Sequence, residues 1–118
     1  MSTRALLLTA MLLAAGVVAA AAARVGPAPG AWRAIGDVSA PHIQELGGWA
    51  VAEHDRQAGD GLRFCEVTSG EEQVVAGMNY KLVLDATDAD GMVAAYGALV
   101  YERPWTNTRQ LVSFTPAS

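Results

Sequence analysis

Few side chains in this sequence have types suited to covalent or acid–base chemistry: the lone cysteine Cys65, the histidines His42 and His54, and the acidic neighbours Glu53 and Asp55. A thiol nucleophile needs a base within reach and surroundings that favour the thiolate. Glu66, next to Cys65, opposes ionisation, and no helix N-terminus follows. Cys65 is therefore expected as a small buried hydrophobe on a covered strand face. A single cysteine also rules out an intramolecular disulfide, so the fold must hold by packing. Glu53, His54 and Asp55 are consecutive, fan around a helix and cannot converge on one reacting atom. No other His or Cys stands at metal-ligand spacing from His54, which is expected near a helix C-terminus, where positive charge meets the dipole favourably. These residues indicate no catalytic site, no metal and no cofactor.

The elements are easier to read. Residues 39–58 form the helix: Ser39 is the expected N-cap, and Pro41 sits in the first turn, where its missing N–H costs nothing. Ile43, Leu46, Gly47, Ala50, Val51 and His54 recur at three- and four-residue steps on one face, and Gly59 and Gly61 end the helix. Gly47 and Gly48 each weaken a helix by about 1 kcal/mol relative to Ala, a loss acceptable where the helix must approach a sheet closely. Four strand signals follow. Leu62 to Val75 shifts phase between Leu62/Phe64 and Cys65/Val67, which with Thr68-Ser69-Gly70 points to a bulge or bend. Tyr80, Leu82, Leu84 and Ala86 alternate with Lys81, Val83 and Asp85. Met92 to Glu102 places Val93, Ala95, Gly97, Leu99 and Tyr101 on one face, and Arg109 to Phe114 is the last strand. One helix followed by consecutive hairpins gives an α+β domain, a four- to five-stranded antiparallel sheet wrapped across the single helix.

Two turns in this plan stand out. Gln73-Val74-Val75-Ala76-Gly77 puts β-branched apolar residues at a hairpin tip, with Gly77 free to take φ > 0. Arg103-Pro104-Trp105-Thr106-Asn107-Thr108 makes a later turn stiffened by Pro104. Two strands separate them, so both lie at one end of the sheet, with the Asp88–Gly91 turn at the other. Apolar tips in solvent mark a surface that binds something. The pattern alone leaves the Trp105 indole open between an exposed anchor and a core ring.

The chain ends are simpler. Arg4, the apolar run Ala5 to Ala15 and the alanines 19–23 have the layout of a secretory signal peptide over residues 1–23, cleaved after Ala23; an uncleaved anchor is the alternative. Residues 24–37 then form an N-terminal arm, rich in proline and glycine at its start, and residues 38–118 one small domain. Acidic residues outnumber basic ones, 12 to 8, which leaves no electrostatic footprint for nucleic acid. Leader removal also leaves no stable membrane association. A ligand-binding module would need convergent polar groups in a pocket, and a storage domain has no reason to pair two apolar tips.

With these residues in hand, the chain resembles the plant cystatins, inhibitors of papain-like cysteine proteases. Gln73 to Gly77 is similar to the first binding loop of that family, Pro104-Trp105 to the second, and the stretch from Leu46 to Asp55 to its helical signature. The resemblance implies a cystatin-like fold with a curved sheet. It also implies a reversible, competitive, tight-binding inhibitor and not an enzyme. A three-part wedge would fill the protease cleft: Gly30 in the arm, Gln73, Val74, Val75, Ala76 and Gly77 in the first loop, and Pro104 and Trp105 in the second. A monomer is expected, with a domain-swapped dimer open to it. The sequence departs from the family at Ala31, where paired glycines are common, and at Trp49 and Asp55, where phenylalanine and asparagine are usual. With no extension after Ser118, the legumain-inhibiting site of longer members is not expected.

Overall fold

A proline at the first helical position and a left-handed glycine at the end delimit the one helix of the computed structural model, which describes residues 30–117. This helix, α1, spans Pro41–Ala58. Gly59 closes it at φ 66°, its N–H donating to the Asp55 carbonyl at 2.7 Å. The expected cap is not the observed one: Ala40 occupies that position and Ser39 does not cap α1. The helix begins one residue too late for Ser39 to cap it, and the Ser39 amide and hydroxyl instead both donate to Asp37 Oδ1, at 3.0 and 2.5 Å, in a local turn.

Five strands follow an antiparallel order β1-β2-β3-β4-β5: Trp32–Ala34, Arg63–Val75, Gly77–Thr87, Val93–Arg103 and Thr108–Pro116. β1 pairs with the end of β2, Trp32 opposite Gln73, so part of the segment read as an arm is a short edge strand. Among the described residues, 32–117 belong to one compact unit, and Gly30 and Ala31 belong to another. Residues 1–23, read as a signal peptide, and residues 24–29 lie outside the described residues. Among the described residues, no helix is long and apolar enough to cross a membrane.

The core lies between α1 and the sheet. Ile43, Leu46, Ala50 and Val51 pack with Val67, Tyr80, Leu82, Leu84, Ala86, Ala98 and Val100 in one buried cluster. The alternation expected for β3 therefore faces the helix as a set. On β4 the residues Val93, Ala95, Gly97, Leu99 and Tyr101 share the outer face, while Ala98, Val100 and Glu102 are buried. Gly47 explains how closely helix and sheet approach: a Cβ there would overlap Val67 Cγ2 and stand 2.8 Å from Phe64 Cε1.

β2 carries two register shifts, between Phe64 and Glu66 and between Val67 and Ser69. The first corrects the reading of Cys65. As the extra residue of a bulge, Cys65 is turned out to solvent, with Sγ 3.2 Å from Thr87 Oγ1. The second opens the ladder at Val67, and Gln44 on α1 fills the gap. Its Oε1 accepts from Val67 N at 3.1 Å, and its Nε2 donates to the carbonyls of Val67 (3.2 Å) and Val38 (2.7 Å). One amide side chain thus satisfies backbone groups that the bulge would leave unpaired.

Candidate functional site

The β2–β3 hairpin turns on a single residue. Val75 and Gly77 are register partners, leaving Ala76 alone at the tip. Gly77 takes φ 115°, and a Cβ placed on it would stand 2.6 Å from the Glu102 carbonyl oxygen. The glycine is required twice, for its dihedral and for close backbone approach. Val74 and Val75 remain 46% and 40% exposed. Below them Asn79 Nδ2 donates to Gln73 Oε1 at 2.8 Å, bracing the hairpin across its strands.

The second tip joins β4 to β5 through one 3-10 turn, Pro104–Thr106, ended by Asn107 at φ 53°. Asn107 N donates to the Pro104 carbonyl at 3.0 Å and Thr106 Oγ1 to the Arg103 carbonyl at 3.1 Å. A turn held this way fixes Trp105 outward, 70% exposed, which resolves the indole as a surface group. The two tips are physically joined. Tyr101 Oη donates to the Ala76 carbonyl, and Arg103 Nε approaches the same oxygen at 3.4 Å. The Asp88–Gly91 turn is at the opposite end. Gly30, in the first unit, has φ 87°.

Behind the second tip lies a charge cluster that sequence reasoning missed. Glu102, 5% exposed, accepts from Arg109 Nη2 at 2.7 Å and lies 2.7 Å from His42 Nε2. Arg109 also binds Glu45 with both terminal nitrogens, at 2.6 and 2.9 Å, and its guanidinium lies 5.5 Å from the Trp49 ring. The hydrogen bonds from Arg109 hold the Glu45 carboxyl below its ordinary range, and Glu45 in turn raises Arg109. Burial, then the Glu102 charge, raises the Tyr80 phenol. A groove of about 390 Å³ opens there, lined by Trp49, Glu102, Pro104, Asn107, Thr108 and Arg109. Glu102 and Arg109, its charged groups, are already engaged with one another.

Neither histidine supplies Cys65 with a base: His42 faces Glu102, while His54 Nε2 lies 2.7 Å from Asp60 Oδ2 with its ring stacked on Phe114. Among the described residues no group of His, Cys, Asp and Glu could hold a metal ion. What the site offers is shape and apolar surface at the tips.

Known proteins bear on this geometry. A family model described as an aspartic acid proteinase inhibitor matches residues 35–117. Cysteine proteinase inhibitor 8 of Oryza sativa subsp. japonica is 60% identical, covering 95% of this chain and 94% of the relative. Cysteine proteinase inhibitor 5 of Arabidopsis thaliana is 42% identical over 96% of this chain and 89% of its own length. Among solved structures, a salivary cystatin from the soft tick Ornithodoros moubata superposes with a TM-score of 0.66 at 24% identity, covering 77% of this chain and all of the other. Mialostatin, a gut cystatin of the hard tick Ixodes ricinus, gives 0.64 at 21% identity, with 75% and 98% covered.

Proposed function

Because the chain belongs to the plant cystatins, a family of inhibitors and not enzymes, we propose that it is a reversible, competitive, tight-binding inhibitor of papain-like cysteine proteases. The observation that carries this reading is the pairing of the tips: Val74, Val75 and Trp105 project in solvent from hairpins joined through Tyr101 and the Ala76 carbonyl. Prebuilt tips lose little conformational entropy on docking, and an exposed indole is a concentrated apolar anchor.

In this reading Gln73 to Gly77 and Pro104-Trp105 enter the protease cleft over its catalytic cysteine and primed side. Gly30 lets the arm lie along the non-primed side. No covalent bond forms. Nanomolar affinity needs about 12 kcal/mol, within reach of a standard-sized interface with a few good anchors. Residues 1–23 direct the chain to the secretory pathway, and the mature protein acts as a monomer.

Titration of papain with the purified mature chain tests the proposal, with pepsin alongside because the matching family model carries the aspartic class in its description. Stoichiometric loss of papain activity that recovers on dilution supports it. Inhibition of pepsin alone, or of neither enzyme, overturns it.

A further inference from the structure

The Ala76 carbonyl, at the foremost point of the first tip, is already engaged within the chain. Arg103 Nε donates to Tyr101 Oη at 2.9 Å, and the guanidinium carbon lies 5.7 Å from the centre of the Tyr101 ring. With its oxygen receiving that hydrogen, the phenol gives its own to the Ala76 carbonyl. The two bonds run in series and polarise each other, with the shorter, 2.9 Å contact to the phenol favoured over the direct 3.4 Å approach of Arg103 Nε to the Ala76 oxygen. The next residue is locked as well, since Gly77 lies so close to β4 that there is no room for a Cβ beside the Glu102 carbonyl.

A protease cuts a peptide bond only after its own donors take up the carbonyl oxygen. We propose that the Arg103–Tyr101 relay makes the inhibitor refractory to its own target: it keeps the Ala76 carbonyl turned onto β4, so the Ala76–Gly77 bond enters the cleft without being presented for hydrolysis. This rests on the reading of the tips as a protease-binding wedge and assigns Tyr101 and Arg103 as positioning residues. In the reaction they prevent, a water oxygen bonds to the Ala76 carbonyl carbon and the C–N bond to Gly77 breaks. Ala76 then ends in a carboxyl group, and the proton goes to the new amine of Gly77.

The test is to hold the wild-type chain and Tyr101→Phe with equimolar papain, following enzyme activity and inhibitor mass together. Wild type is expected to stay intact. The phenylalanine variant keeps its ring and loses its donor; it is expected to bind papain more weakly and, once bound, to be cut between Ala76 and Gly77. Release of papain activity should be about tenfold faster, the factor of one good hydrogen bond. Arg103→Gln, which leaves the phenol in place, is expected to be cut at the same bond more slowly, and it replaces Tyr101→Phe if that variant fails to fold. Inhibiting variants that stay intact, or are cut elsewhere, overturn the relay. A folded Tyr101→Phe chain that no longer inhibits overturns it too, because the contact is then only a brace for affinity. Failure of wild type to inhibit papain sinks the wedge reading itself, an outcome distinct from intact variants beside an inhibiting wild type.

Discussion

Arg109 on β5 directs two nitrogens at one oxygen of Glu102 on β4, Nη2 at 2.7 Å and Nε at 3.1 Å, while His42 of α1 takes the other oxygen. Helix and two strands are thereby tied together next to the second tip. The Glu102 side chain is buried, whereas that of Arg109 keeps 23% of its surface in water. Arg109→Ala would leave an acid in the core with a histidine as its remaining partner. The expected loss is about 3 kcal/mol, the low end for breaking a buried pair, since Arg109 is partly hydrated. Replacing both Glu102 and Arg109 with Leu should cost less than Arg109→Ala alone. Urea denaturation of the variants decides this, and a double variant less stable than Arg109→Ala would show that the cluster acts as more than a satisfied charge pair.

Acid should weaken the same region. The Glu45 carboxyl, held below its ordinary 4.5 by hydrogen bonds from Arg109, binds its proton less readily folded than unfolded. Its contribution is therefore present above about pH 4.5 and lost as pH falls through the lower folded value. The gap in melting temperature between wild type and Glu45→Gln should be open at pH 7 and close on acidification. A gap that widens toward acid would contradict the sign.

Trp105→Ala should separate binding from folding. The indole is mostly exposed and outside the core cluster, so the melting temperature should barely move. Loss of an interface anchor should weaken papain inhibition by about 2 kcal/mol or more, roughly 30-fold. Unchanged affinity would place Trp105 outside the contact.

Gly77→Val should distort the first tip, because valine resists φ 115° and its Cβ meets the Glu102 carbonyl. A penalty of about 1–3 kcal/mol is expected for a strained residue of this kind, read as faster dissociation from papain together with a lower denaturation midpoint. Full activity at unchanged stability would mean the tip relaxes at little cost.

Gly47→Ala sets two magnitudes against each other. Alanine gains about 1 kcal/mol of helix propensity, but its methyl must displace Val67 and Phe64, an overpacking that costs about 1–3 kcal/mol. Net destabilisation is expected by thermal melt; a stabilised variant would show that the helix can lift away from the sheet.

What could be read from the sequence was local. The β3 alternation, the stop at Gly59 and the bulge near Cys65 each follow from neighbouring residues, and so does the positive φ of Gly77. The Cys65 error came from continuing a two-residue period through a bulge that the same pattern implied. Ser39 has a capping residue's chemistry, but α1 starts at Pro41, which places Ala40 at the cap and leaves the Ser39 hydroxyl to donate to Asp37. Arg109 and Glu45 are 64 residues apart, and Tyr101 reaches Ala76 across a hairpin, so those contacts emerge only once the register is known. Trp105 needed the geometry of its own turn.

The outward thiol of Cys65 has a practical consequence. It sits near the Asp88–Gly91 end of the sheet, roughly 30 Å from the Ala76 tip at the ordinary strand rise. As the chain has one cysteine, a maleimide dye or surface linker would attach at a single known place, leaving both tips free to meet an enzyme.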